Sequence, residues 1–512
     1  MRNIIFTYII LAALLLASCY EDIGNYDYNE LEEISIEGLN SSYSGVAMVD
    51  TLSIKPIVSS NLPNAEFEYF WYMYRTSQEG ELEEDTIAYT KDLNYFISQS
   101  YPSWRLVFGA KNINTGMTKL VSSSLNIGTE FTTAWYILKD DGAYSDLDML
   151  KVTDTIVPTS IVENVYSLIN GEKLEGKAKL LNYFSSYRTA ANPGEMAFVR
   201  NKALVTMSEN DLSFVNINNL EELRGFEDAF IGGEPAVRKL GFAGYRNASY
   251  TLINDGELYY INNTFMPGTI GSMYGSPLGR NANFDEYSLS DYTLTGSNYN
   301  VYFDNISSSF VYYGGATSVL SDITIIPQGG SLLNKELIYM GMIKDSRGID
   351  AVGLMRDKSD AGLINLFRLK SVSDNLAIIS NQGTITSGMK LFDATKITTS
   401  QESAIIYFAV GNELYSRNLV TGVETLQYSA PAGEEITMVR SRRYDNSTEP
   451  QFKYDYIIVG TSNGANYKVH FFSKTSASLN ADPEFTFEGE GQAKDAIFIS
   501  PRVSEATYMQ GY

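Results

Sequence analysis

Apolar and polar positions alternate at strand period through much of this chain. "AEFEYFWYMYR", residues 65–75, sets Phe67, Tyr69, Trp71 and Met73 on one face, and "DTLSIKPIV" alternates until it meets Pro56. "SWRLVFGAKNINTGMTKLVSSSLNI", residues 103–127, reads as a strand, an Asn-Thr-Gly turn and a second strand. Period-two alternation means one buried face and one wet face. Several such short strands with turns between them predict an immunoglobulin-like β-sandwich over residues 36–130, with Trp71 in its core.

Beyond it the strands come in repeats. "INDGELYYIN" at 253–262 and "AVGNELYSRN" at 409–418 share Glu, Leu, Tyr and Asn at equivalent places, with Leu258 and Leu414 156 residues apart. That offset is three times 52, and hairpins fill the interval, with Phe310 and Leu363 in the Leu258 position. Tyr467 follows downstream; Leu212 and Leu147 precede, the last spacing being lengthened by "NGEKLEGKAKLLNYFSSYRTA". Seven hairpins near this period predict a seven-bladed β-propeller over residues 131–512; six or eight blades would also fit. "DAIFISP", residues 495–501, reads as the strand that closes the ring. The expected fold is therefore all-β, a sandwich followed by a propeller.

The N-terminus departs from this pattern. Arg2 precedes an apolar run from Ile4 to Leu16, too short to span a bilayer but suited to a signal peptide, residues 1–18. Leu16-Ala17-Ser18-Cys19 reads as a lipobox, and Cys19 is the only cysteine of 512 residues. Acylation there would anchor the chain to a membrane, each buried methylene contributing about 0.8 kcal/mol. Residues 19–35 are acidic, turn-rich and without an apolar face, as befits a tether. The net charge of −23, from 61 acidic and 38 basic residues, argues against nucleic acid as a partner.

Candidate chemistry is sparse. Gly460-Thr461-Ser462-Asn463-Gly464 matches a nucleophile elbow, but strand-like segments flank it on both sides and no helix follows. Its base would have to be His470, the only histidine, which is expected to face solvent or a neighbouring blade. Zinc lacks ligands; Asp140, Asp141, Asp146 and Asp148 could serve calcium or simply cap a hairpin turn, and no metal or other cofactor is assigned. The long loop at 263–300 carries Met273, Tyr274, Phe284, Tyr287, Tyr292 and Tyr299 on a Gly/Ser/Asn frame, which suits recognition of a sugar, a peptide or a protein partner.

The lipobox at Cys19 followed by Glu21 and Asp22, "DTLSIKP", "LVFGAKNINTG", "AWYILKDDGAYSDLDML" and "NGEKLEGKAKLLNY" together resemble the PKD-like surface lipoproteins of Bacteroidetes. The resemblance covers the N-terminal 185 residues and implies an outer-membrane lipoprotein facing the medium, with Glu21 and Asp22 as export signal. It further implies an accessory role beside a SusC/SusD-type transporter that imports oligosaccharides or oligopeptides. Asp-Thr-Leu/Ile at Thr51, Thr86 and Thr155 looks like that phylum's O-glycosylation sequon. The expected function is non-catalytic binding or complex formation; the alternative is a glycoside hydrolase or lyase using carboxylates on a propeller face.

Overall fold

The computed structural model describes residues 31–76, 82–99, 103–189, 199–246, 249–262, 273–281, 285–295, 299–314, 319–328, 332, 334–343, 349–373, 375–400 and 403–508. Cys19, Glu21, Asp22 and Phe284 lie outside these. The chain divides into two compact units, one built mainly from Thr51–Phe96 and Ser103–Leu125, the other from Asn126 onward.

In the first unit, the strands Thr118–Gly128, Ser103–Asn112, Phe67–Thr76 and Leu82–Ala88 are neighbours in that order within one sheet. Thr51–Ile54 pairs antiparallel with Leu93–Phe96 in a second. The alternation read from the sequence is realised: Trp71 and Met73 are buried, and Leu52, Ile54 and Leu93 are buried on the smaller sheet. Trp71 packs at 4.5 Å on Phe108 and donates its indole N–H to the Thr90 carbonyl at 3.0 Å. This is the immunoglobulin-like sandwich expected.

The described residues of the second unit form a ring of seven sheets. Blade 1 runs Gln492–Ile499, Ala134–Asp140, Tyr144–Lys151, Ser160–Val162 from the inside outward, and blade 2 runs Ala178–Thr189, Val199–Ser208, Leu212–Asn216, Glu222–Gly225. Blade 3 holds Leu240–Arg246, Ser249–Asn254 and Glu257–Asn262; blade 4 holds Leu289–Thr295, Asn300–Asp304, Ser309–Tyr313 and Val319–Asp322. Blade 5 is Lys335–Met342, Asp350–Asp357, Asp360–Ser373 and Leu376–Ile385, with Thr324–Gln328 added parallel at its outer edge. Blade 6 is Lys396–Thr399, Ile405–Val410, Glu413–Asn418 and Glu424–Ser429; blade 7 is Glu435–Tyr444, Tyr454–Ser462, Asn466–Thr475 and Phe485–Glu490.

The innermost strands meet in a closed cycle. Gln492–Ile499 packs beside Ala178–Thr189, and each inner strand then packs beside that of the next blade until Glu435–Tyr444 returns to Gln492–Ile499. Seven blades close the ring, not six or eight. The "DAIFISP" strand does the closing, pairing antiparallel with Ala134–Asp140 so that blade 1 is built from both ends of the propeller.

All seven repeat anchors, Leu147, Leu212, Leu258, Phe310, Leu363, Leu414 and Tyr467, fall in the third strand of successive blades. Six are buried, and Leu363 is only half-buried. A register shift between Arg356, which pairs with Ile364, and Asp357, which pairs with Asp360, leaves Leu363 out of the ladder, and Ile364 fills that role. Apolar clusters bridge neighbouring sheets: Trp135 of blade 1 packs at 4.8 Å against both Tyr454 and Phe471 of blade 7, and Leu181 and Leu204 of blade 2 join the same cluster.

Candidate functional site

The ring closure leaves a polar cleft of about 480 Å³ between the turns of blades 7 and 1. Blade 1 contributes Lys139, Asp140, Asp141, Tyr144 and Asp146; blade 7 contributes Gly464, Ala465, Asn466, Glu490 and Gly491. The turns on either side are built alike. Asp141 Oδ1 accepts the Ala143 and Tyr144 N–H groups at 3.0 and 2.9 Å, and Asn463 Oδ1 accepts those of Ala465 and Asn466 at 3.0 and 2.8 Å. Such Asx turns satisfy backbone donors locally. Gly491, at φ +93°, is where the strand leaves for closure, and a Cβ there would stand 2.6 Å from the Asp140 carbonyl oxygen.

Asp148, fully buried, organises the floor. It pairs with Lys139 Nζ at 2.8 Å, accepts the Tyr467 hydroxyl at 2.7 Å, and accepts the Asn164 N–H at 2.7 Å. Asp146 accepts the N–H of Leu147 and of Ser167 at 2.8 and 3.1 Å. Asp140 accepts from Gly142 and Ala178 at 3.0 and 3.1 Å. Burial pushes the Asp140 carboxyl above its ordinary range, Lys494 partly opposing; Asp141 is held below it, chiefly by the Tyr144 N–H. The four aspartates considered for calcium thus serve separate turns and strands. Among the described residues no group of three or more His, Cys, Asp or Glu is placed to share an ion.

The nucleophile-elbow motif is a hairpin turn. Ser462 ends one strand, is buried, and donates to the Asn466 and Gly491 carbonyls at 2.9 and 3.1 Å. His470 lies on the following strand but does not touch that serine. It is 8% exposed and sits against Tyr428 of blade 6, with Thr486 Oγ1 2.9 Å from Nδ1 and the Tyr428 hydroxyl 3.3 Å from Nε2. Of the two placements expected for it, the inter-blade one holds and the solvent-facing one does not.

Burial lowers the His470 pKa to about 4, with Lys468 acting in the same sense and Glu434 against it. The folded state therefore binds its proton less readily than the unfolded chain. The resulting stabilisation is present above pH 6.5 and is lost as pH falls from there to about 4. Urea unfolding should show the advantage of the parent over His470→Gln shrinking across this window, by up to about 3 kcal/mol. A difference that stays constant with pH would contradict this.

Among the described residues of 263–300, the aromatic side chains singled out in the sequence pack against different strands. Tyr274 and Tyr299 are buried, Met273, Tyr287 and Tyr292 half-buried. Tyr274 is strapped to blade 2 by hydrogen bonds through its backbone to Ala229 and Ile231, at 2.7 and 2.8 Å. The Tyr287 hydroxyl donates to the Leu278 carbonyl at 2.7 Å, and Tyr292 meets Tyr339 of blade 5 edge-on at 5.4 Å. Arg280 pins the loop to blade 4, reaching Asp304, Ser307 and Asp322. These rings are used for packing between blades. Thr51, Thr86 and Thr155 are all exposed.

Sequence reasoning passed over Lys139, Asp495 and Arg442, all buried. Their signal was a charged residue set against an otherwise apolar strand, as in "AWYILK" and "DAIFI".

Residues 19–178 match the PKD-like family, a span that includes the sandwich and runs on through the hairpin of blade 1. No curated protein matches the chain. Similar solved structures include a quinonprotein alcohol dehydrogenase-like protein of Bacteroides thetaiotaomicron, at 13% identity over 90% of this chain and 97% of the other, TM-score 0.41. A functionally unknown protein of Desulfotomaculum acetoxidans aligns at 10% identity over 72% and 99%, TM-score 0.39, and Citrobacter koseri AztD at 8% over 85% and 100%, TM-score 0.36. The propeller assignment stands on the chain's own strand order, and the N-terminal third of the chain is what the PKD-like family describes.

Proposed function

We propose that this chain is a non-catalytic surface lipoprotein, anchored through Cys19 with Glu21 and Asp22 as export signal, that captures or presents an oligosaccharide or oligopeptide to a SusC/SusD-type transporter. The observation that carries this reading is the use made of the reactive side chains. Ser462 and His470, the two members a hydrolytic triad would need, are spent on a hairpin and on an inter-blade contact. What the ring presents instead is a polar cleft at its closure, with exposed Tyr144 and Glu490 among its residues. The lipobox and the PKD-like match support the anchored accessory role.

Cys19→Ala is expected to move the protein from the membrane fraction to the soluble fraction. The transporter purified from mild detergent is expected to bring the parent chain with it. Repeated isolation of the transporter without this chain would end the complex-forming part of the reading. The exposed Thr51, Thr86 and Thr155 are the expected glycan carriers, so each Thr→Ala variant from the native host should lose one glycan mass.

The catalytic alternative has one observation in its favour. Asp140 and Asp141 share the cleft with pKa values displaced in opposite directions, the pattern of an acid and a base. Turnover of an oligosaccharide that disappears in a folded Asp141→Asn variant would establish it in place of the binding role.

A further inference from the structure

The inner strands of blades 6, 7 and 1 are held level by hydrogen bonds between them. Ser441 N–H donates to Thr398 Oγ1 at 3.2 Å, Thr437 Oγ1 to the Ala493 carbonyl at 2.8 Å, and Arg440 Nη2 to the Lys494 carbonyl at 3.4 Å. Lys396 shares a strand face with Thr398, because residues two apart point the same way. Lys396, Arg440 and Lys494 therefore come to one level on three adjoining inner strands. Arg440 is bound to Asp495, and Lys494 donates to Gln492 Oε1 at 2.9 Å with Asp140 at 3.9 Å. The ammonium of Lys396, a half-buried residue, makes no hydrogen bond or ion pair among the described residues. Burial, then Lys494 and Arg440, holds its ammonium below the ordinary lysine range, with Asp140 opposing.

Blades 2 and 4 show the contrasting case. Lys179 of blade 2 reaches Asp291 of blade 4 at 2.6 Å, passing Gly241 of blade 3, where a Cβ would stand 2.6 Å from Asp291 Oδ1. There an inner-strand lysine has its carboxylate. At Lys396 no carboxylate among the described residues comes within ion-pair distance, Asp140 acting only from further off, in a chain of net charge −23.

We propose that Lys396, with Lys494 and Arg440 beside it, forms an oxyanion site at the inner strands of blades 6, 7 and 1, taking a carboxylate or sulfate group. An oxyanion supplies both the acceptor that the Lys396 ammonium lacks and a negative charge beside a cation that Lys494 and Arg440 repel. A neutral sugar supplies only the first, and a cation neither. The proposal does not depend on the cleft or on the accessory role. The same chemistry could come from a free inorganic anion or from an acidic sugar of a glycan.

The test titrates the full-length lipoprotein in detergent at low ionic strength with inorganic sulfate, with trigalacturonate and with neutral maltotriose, following heat of binding and Tm. Sulfate and trigalacturonate are expected to bind and raise Tm, and maltotriose is not. Trigalacturonate tighter than sulfate assigns an acidic saccharide; equal or weaker binding assigns a free anion. Lys396→Gln should weaken either anion at least tenfold, while its unliganded Tm is no lower than the parent's, because it removes an unpaired charge. Lys239→Gln, an exposed lysine of blade 3, should bind as the parent does. Failure of both anions to bind, or parent-like affinity in Lys396→Gln, overturns the proposal.

Discussion

Asp495→Asn is expected to destabilise the propeller by about 3–5 kcal/mol, the range for removing one partner of a buried ionic network. Asp495 is fully buried on the closing strand. Its Oδ1 receives Arg440 Nε and Arg442 Nη2, both at 2.9 Å, and its Oδ2 receives the Leu181 N–H of blade 2 at 2.9 Å. One carboxylate thus ties blades 7, 1 and 2 together. Burial alone would raise its pKa, yet Arg440 and Arg442 bring it below the ordinary aspartate range. The stabilisation is therefore present above the unfolded-state value and is lost as pH falls through the lower, folded one. Asparagine cannot carry the charge, so the buried Arg442 guanidinium and the half-buried Arg440 guanidinium both lose their carboxylate. Urea denaturation at pH 7 should show the loss, with the parent and the variant converging in acid. Replacing all three groups together, Asp495→Leu with Arg440→Met and Arg442→Met, should cost less than Asp495→Asn alone. A triple variant that costs more would mean that the network itself contributes net stability, and uncompensated charge would not then explain the loss in Asp495→Asn.

The second large effect is expected on ending the chain at Gly491. This deletes Gln492–Ile499, the innermost strand of blade 1, and with it buried Ile497, Phe498 and Ile499. At roughly 1.5–3 kcal/mol for each large apolar side chain, the loss approaches the 5–15 kcal/mol that holds a typical domain folded. Ala134–Asp140 would also lose its partner along the whole edge, and an unpaired, apolar inner edge invites aggregation. The truncated chain should show no cooperative thermal transition for the propeller and should accumulate as oligomers. A truncated chain that melts cooperatively within a few degrees of the parent would mean that the ring is held elsewhere.

The repeat arithmetic found the blades because each third strand must bury an apolar side chain close to the same turn. Leu258 and Leu414 repeat for that reason, and so do the weaker Phe310 and Tyr467. Leu363 shows the limit: a register shift in the hairpin moves the buried position to Ile364, and spacing alone cannot register a shift of pairing between strands. The candidate site was less legible. Tyr274 and Tyr299 carry the composition of a binding loop, but a tyrosine that stacks between blades and one that stacks on a sugar look alike in sequence. Asp140 to Asp148 were singled out as a cluster, yet their proximity along the chain hid that each answers a different backbone group.

The order of apolar and polar residues by itself pointed to an all-β chain, to strands that recur near every 52 residues, and to residues 495–501 as a strand that could close the ring. Those properties are local or periodic, and the physics of a pleated, half-buried strand writes them into the residue order. Only the tertiary structure decided which charges are consumed and which are left over. Lys139 finds Asp148, Asp495 finds two arginines 53 and 55 residues away, and Lys396 finds no carboxylate within ion-pair distance among the described residues. Pairings of that kind depend on which inner strands adjoin at which level, and that is settled when seven sheets close around an axis.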